Sequence, residues 1–126
     1  MRILVVDDDK TTRKMLYLIL KSKGYDVVTA ENGMDGLQKL GLEQINLILT
    51  DMNMPYMDGI EFTKQVRANP DFSDIPIVML TTEADEEEKQ RAYKAGVDDY
   101  LVKPATAEEI VDSMKKIMKK IFGKRE

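Results

Sequence analysis

Residues 1–9 read Met1-Arg2-Ile3-Leu4-Val5-Val6-Asp7-Asp8-Asp9, in which the unbroken apolar run Ile3-Val6 ends abruptly on three carboxylates. A run with no in-out alternation suits a strand covered on both faces, as in a parallel sheet. Comparable runs follow at Val27-Ala30, Leu47-Leu49, Ile75-Leu80 and Tyr100-Val102, so five strands are predicted, the first at Ile3-Val6. Four of the five stop next to a reactive group. These groups are Asp7-Asp8, Asp51 after Leu47-Ile48-Leu49, Thr81 after Ile77-Val78-Met79-Leu80, and Lys103 after Leu101-Val102. If the runs are parallel strands of one sheet, their carboxyl ends open on one edge, and three acids, a hydroxyl and an ammonium share a crevice.

Segments of helical period separate the strands. The first carries Met15, Leu16, Ile19 and Leu20, with Asp9 as N-cap and Gly24 as the glycine past its end. Leu37 and Leu40 mark a second helix. A third is predicted from Asp58-Gly59, with Ile60, Thr63 and Val66 on one side, ending before Asn69-Pro70. The fourth is predicted over Ala84 to Ala95 and stopped by Gly96, with Glu86, Glu87 and Glu88 at its start and Glu87 paired to Arg91. Thr106-Ala107-Glu108-Glu109 has the form of a capping box, opening a fifth helix with a stripe of Ile110, Val111, Met114, Ile117, Met118 and Ile121. Five βα units of this size make an α/β fold: one doubly wound, five-stranded parallel sheet with five helices over its faces. The expected strand order is 2-1-3-4-5, which sets Asp7-Asp8 beside Asp51 at the switch point.

With 126 residues, the chain has room for one ordinary domain, residues 1–126. A net charge of −4 argues against unaided binding to nucleic acid. No apolar stretch approaches the ~20 residues of a membrane span, and no signal-peptide core precedes Asp7, so a cytoplasmic location with no membrane insertion is expected. Neither cysteine nor histidine is present. That removes disulfides, thiolate or imidazole zinc sites, histidine triads and a self-held phosphohistidine.

Taken singly, each of these groups has an ordinary explanation. Asp7, Asp8 and Asp9 could form a polar turn with a helix cap, Asp51 could be a loop acid, and Lys103 could be a solvated surface lysine. Capping needs one aspartate, however, and adjacent carboxylates repel, so a hard cation with oxygen ligands accounts better for the first pair. Together the groups suit phosphoryl chemistry. A carboxylate can attack phosphorus to give an acyl phosphate if the repulsion between two anions is screened. Magnesium on a carboxylate pair, a lysine and a threonine hydroxyl supply that screening. With no histidine here, a phosphohistidine donor would have to belong to another protein.

At these residues the chain resembles the response-regulator receiver domains of two-component signalling. The resemblance rests on Asp7-Asp8, on Asp51-Met52-Asn53-Met54-Pro55-Tyr56-Met57-Asp58-Gly59, on Thr81-Thr82-Glu83, on Lys94-Ala95-Gly96-Val97-Asp98-Asp99-Tyr100 and on Lys103-Pro104. The family's chemotaxis regulators are a standing example of the 2-1-3-4-5 order, so topology and resemblance are not independent. The resemblance implies that Asp51 is the phosphoacceptor and that a histidine kinase is the donor. It implies that Asp8, Asp51 and the Asn53 main-chain carbonyl hold Mg2+, with Asp7 acting through bound water, and that Thr81 and Lys103 grip the phosphoryl oxygens. It also implies a cis Lys103-Pro104 bond, against a bare X-Pro prior of only ~5%. Tyr100 would be an aromatic switch that turns inward, although a half-buried tyrosine at a strand end is the plainer reading of the residue alone.

Asn53 and Glu83, two residues past the acceptor and the threonine, resemble the pair in chemotaxis regulators with short-lived phosphoryl groups. Thr82 is bulkier than the residue common at its position, and Ala105 replaces a frequent phenylalanine. The sequence ends at Lys124-Arg125-Glu126, so no output domain is expected. The implied protein is a monomer, not an enzyme beyond assisting its own phosphorylation and dephosphorylation. Its message would leave through the fourth helix, fifth strand and fifth helix around Tyr100, to a target protein. Lys115, Lys116, Lys119 and Lys120 read as a solvated flank of that face, and Met52, Met54 and Met57 either fill gaps or shape a tolerant contact surface. Two other readings are a relay shuttle that passes the group to a second histidine protein, docking on the first helix, and an aspartyl-phosphate phosphatase. The phosphatase would need an acid two residues past the nucleophile, where Asn53 stands.

Overall fold

A computed structural model describes residues 1–125, with side chains through Ile121; Glu126, the last residue of the span read as one domain, lies outside the described residues. The strands are β1 (Arg2–Val6), β2 (Asp26–Ala30), β3 (Leu47–Thr50), β4 (Ile77–Thr81) and β5 (Asp99–Val102). The helices are α1 (Lys10–Ser22), α2 (Gly33–Leu42), α3 (Gly59–Ala68), α4 (Glu86–Ala95) and α5 (Ala107–Arg125). All strand pairs are parallel, and the order is β2-β1-β3-β4-β5, as expected.

The apolar runs conceal a period of two. Ile3 and Val5 of β1, with Leu47 and Leu49 of β3, face a core shared with Leu16 and Leu20 of α1 and Ile110 and Met114 of α5. Leu4, Val6 and Ile48 face the other side, against Leu40 of α2, Phe62 and Val66 of α3 and Ala92 of α4. Both faces are covered, so alternation carries no polarity change and the sequence reads as a continuous apolar run. Phe62, fully buried and absent from the sequence-based core, is the largest such side chain. A buried phenylalanine of this kind is worth roughly 3–5 kcal/mol against alanine.

Several ends follow the local chemistry. Asp9 Oδ2 accepts the Thr12 N–H at 3.0 Å, which caps α1. At its other end Gly24 (φ 91) lets the Tyr25 N–H reach the Leu20 carbonyl, 3.1 Å, and its own N–H the Lys21 carbonyl, 3.0 Å. The capping box forms, with Glu109 N–H to Thr106 Oγ1 at 3.1 Å and Thr106 N–H to Glu109 Oε1 at 3.2 Å.

Other boundaries differ from expectation. Strand β4 begins at Ile77 rather than Ile75, because Pro76 has no N–H to give to the ladder. Its last residue is Thr81 itself. Helix α4 begins at Glu86 rather than Ala84, because Asp85 caps it through the Glu87 N–H, 2.8 Å; an aspartate outcompetes alanine for that position. Arg91 pairs with Glu88 at 2.7 Å rather than with Glu87, the i,i+3 neighbour being as close on a helix as i,i+4. Met15 is exposed and does not join Leu16 and Leu20 in the core. Met52, Met54 and Met57 are buried and fill gaps under their loop.

Arg67 closes the edge of the sheet remote from the strand carboxyl ends. Its guanidinium donates to the Gly96 carbonyl (2.8 and 3.0 Å), to the Ser73 and Ile75 carbonyls (3.0 and 2.6 Å) and to Asp98 Oδ2 (3.1 Å), which also accepts the Ile77 N–H at 2.8 Å. One side chain thus joins α3, the entry to β4, the end of α4 and the entry to β5. Among the described residues no helix is long and apolar enough to cross a membrane.

Candidate functional site

The reactive residues sit where the ladder runs out. Asp7 donates its N–H to the Ala30 carbonyl of β2 (3.1 Å), Asp51 to the Val6 carbonyl of β1 (2.9 Å) and Lys103 to the Thr81 carbonyl of β4 (2.7 Å). Each is therefore fixed by one further rung past its own strand, which positions the side chains more firmly than a free loop would. The crevice forms at the switch point between β1 and β3.

Asp7, Asp8 and Asp51 each offer a carboxylate oxygen, and the three oxygens lie within 4.8 Å of one another. An all-oxygen set at that spacing fits a hard divalent cation. Asp7 is buried at 2% exposure, while Asp8 is exposed. Lys103 Nζ lies 3.0 Å from Asp7 Oδ2 and 3.8 Å from Asp51 Oδ2, so the ammonium expected at the phosphoryl oxygens rests on the acids. The Lys103-Pro104 bond is cis. Asp7 Oδ1 accepts the Asp9 N–H at 2.9 Å, and its main-chain carbonyl accepts from Arg13 Nη1 at 2.8 Å. Arg13 was missed by sequence reasoning; the one signal was a cation on the first turns of the helix that follows the acids.

Burial, more than any other influence, pushes the Asp51 carboxyl above its ordinary value. Lys103 opposes the rise, Asp7 adds to it, and the Met52 N–H and Thr81 hydroxyl favour the charged form. Asp51 Oδ1 accepts the Met52 N–H at 2.8 Å. Gly59, packed beneath the loop, donates its N–H to the Met52 carbonyl at 2.6 Å.

Thr81 is fully buried, and its Oγ1 accepts the Glu83 N–H at 3.2 Å. The Glu83 carbonyl in turn accepts the Tyr100 hydroxyl at 2.6 Å. A single residue's backbone therefore links the threonine of the crevice to the aromatic ring of β5. Tyr100 is buried rather than half-buried. Its phenol is pushed up to about 12 by burial and then by the charges of Glu83, Glu88, Asp51 and Asp85, which keeps the hydroxyl a donor. Next to it, Asp99 joins the three elements of that face. It accepts from Ser113 of α5 (2.5 Å), from Tyr93 of α4 (3.3 Å) and from the Tyr100 N–H (2.9 Å).

Asn53 and Thr82 are exposed beside the crevice and Glu83 is half-buried. Thr82 also borders an apolar groove of about 460 Å³, walled by Met15, Leu16, Leu80, Pro104, Ala105 and Ile110. The small Ala105 side chain forms part of its wall. Lys115, Lys116, Lys119 and Lys120 are exposed on α5, a solvated flank.

Residues 3–115 match the family model of the response regulator receiver domain. Chemotaxis protein CheY1 of Helicobacter pylori (strain J99 / ATCC 700824) is 40% identical over 120 residues, spanning 94% of this chain and 97% of that protein. Among solved structures, chemotaxis protein CheY4 of Vibrio cholerae superposes with a TM-score of 0.87 at 37% identity, over 91% of this chain and 96% of that one. The signal receiver domain of a signal transduction histidine kinase from Syntrophus aciditrophicus also superposes at 0.87, with 30% identity, over 95% and 91% of the two chains. The chain belongs to the response regulator receiver domain family and has the CheY-like fold.

Proposed function

We propose that this receiver, acting as a single domain, takes a phosphoryl group from a histidine kinase onto Asp51 with the help of Mg2+. It then signals by binding a target protein through the face formed by α4, β5 and α5. The observation that carries the reading is the convergence of the Asp7, Asp8 and Asp51 oxygens within 4.8 Å, with Lys103 Nζ 3.8 Å from Asp51.

In the transfer, the bond between phosphorus and the donor's ring nitrogen breaks and a bond to an Asp51 carboxylate oxygen forms. The Met52 N–H, already on Asp51 Oδ1, leaves the other oxygen for attack. Asp7, Asp8 and Asp51, with the Asn53 main-chain carbonyl, would hold the ion, which when bound offsets charge on the transferring group. Lys103 has only to shift from Asp7 toward the new phosphoryl oxygens, and the Thr81 hydroxyl offers a hydrogen bond beside it. Drawing Thr81 toward the product pulls on Glu83, and Glu83 holds the Tyr100 hydroxyl. That chain of contacts supports a switch role for Tyr100. Asn53, Thr82 and Glu83 would govern the entry of water and hence the lifetime of the signal; the exposure of Asn53 and Thr82 supports this.

Intact mass after incubation with acetyl phosphate and magnesium tests the assignment. One phosphoryl adduct is expected on the wild type and none on Asp51→Asn or in excess chelator. An unmodified wild type would remove the reading, and an adduct on Asp51→Asn would move the acceptor elsewhere.

A further inference from the structure

Tyr56 is singular in two respects. At 96% it is the most exposed of the large hydrophobic side chains described, and among the described residues it is the one non-glycine with positive φ, 70°. The Met57 N–H donates to the Pro55 carbonyl at 2.8 Å, which closes a γ-turn with Tyr56 at its centre. Left-handed backbone is unfavourable for a residue with a Cβ, and more so for a bulky one. Glycine would suit the turn better.

The exposure does not come from a slack loop. Met52, Met54 and Met57 are buried around Tyr56, and the Gly59 N–H is fastened to the Met52 carbonyl at 2.6 Å. With Met57 turned inward, the turn drives the ring outward. It stands five residues past Asp51, on the loop that begins with the acceptor. Strain of this sort persists where the surroundings fix it, and it concentrates at functional sites. A rigid amphipathic ring, held out at low entropic cost, is the kind of side chain that anchors protein interfaces.

We propose that Tyr56 is a docking residue for the phosphohistidine-bearing donor protein, packing on the donor surface beside its histidine. The donor is the partner that must approach Asp51 in line, and a side chain projecting from the loop that begins with Asp51 is in a place to meet its surface. A target protein on the α4–β5–α5 face has no such need. The inference rests on Asp51 being the acceptor.

The test compares wild type with Tyr56→Gly, which relieves the backbone strain and so does not threaten folding, and with Tyr56→Phe, which keeps the ring. The donors are acetyl phosphate and a phosphohistidine-charged four-helix phosphotransfer domain, chosen from a panel as one that labels the wild type. Tyr56→Gly should lose about tenfold in kcat/KM with the protein donor, as expected for an interface aromatic. Labelling by acetyl phosphate should hold within about twofold and the thermal midpoint should not fall, since the ring touches neither the small donor nor the core. Tyr56→Phe should restore most of the protein-donor rate. Equal protein-donor rates for wild type and Tyr56→Gly would overturn the proposal, as would a wild type labelled by acetyl phosphate and by no member of the panel. Failure of acetyl phosphate to label the wild type would instead indict Asp51, so the two readings fail separately.

Discussion

Replacing Gly59 with alanine should disturb the acceptor loop from beneath. A Cβ on Gly59 would run into the Asp51 carbonyl oxygen and would stand 2.8 Å from Met52 Cα and 2.9 Å from Met79 Cε. Of these neighbours only the methionine methyl can swing away; the other two are backbone of the acceptor and of the residue after it. Overpacking costs about 1–3 kcal/mol, and a clash with backbone belongs at the upper end, about 3 kcal/mol. A domain of this size loses roughly 3–6 °C per kcal/mol, so the thermal midpoint should drop by roughly 9–18 °C. Relief requires the Asp51 main chain to retreat by about an ångström, and a displacement of that size near reacting groups can cost about a hundredfold in rate. Gly41→Ala is the matched control. Nothing lies within 4 Å of its added Cβ, and alanine inside α2 should raise stability by about 0.5–1 kcal/mol with labelling unchanged. Differential scanning fluorimetry and timed mass spectra with acetyl phosphate read both quantities. A Gly59→Ala protein with wild-type midpoint and labelling rate would refute the packing argument.

The charges of the crevice make two further predictions. Lys103→Met strips the buried Asp7 of its ammonium and should destabilise the metal-free protein by about 3 kcal/mol, with magnesium recovering most of the loss. Equal losses in chelator and in magnesium would contradict this. Burial holds the folded Asp51 protonated to higher pH than the unfolded chain, whose value is 3.8. Its contribution to stability is therefore intact below 3.8 and is lost as pH rises through the raised native value. In chelator, Asp51→Asn should be more stable than wild type at neutral pH, with the gain fading as pH falls toward 3.8. Denaturant titrations across that range would show it, and a gain that grows on acidification would run against the sign.

The fold was legible because its signals are local or periodic. Unbroken apolar runs announced doubly covered strands, Gly24 and Thr106-Ala107-Glu108-Glu109 announced helix ends, and the acids after β1 and β3 announced the crevice. What escaped depends on residues far apart in the chain. The strand ends brought Lys103 to the acids, but not its resting contact with Asp7 across 96 positions, and nothing announced that Arg67 reaches Gly96 across 29. No window of sequence reports such a pair. Local competition hid other details: Asp85 took the cap from Ala84, Pro76 shortened β4, and Glu88 took Arg91 from Glu87. Tyr56 drew no reading beyond its place in the motif that follows Asp51, because nothing in its neighbours' identity reveals the sign of φ.

The Arg67 guanidinium gives the molecule a stiff end and a compliant one. It grips the carbonyl of Gly96, immediately past α4, while along its own length that helix buries only Ala92. A helix clamped at one end and buried at a single residue along its length is expected to yield first at the other end, and for α4 that end is Asp85-Glu86, two residues beyond the Glu83 backbone that holds Thr81 and Tyr100 together.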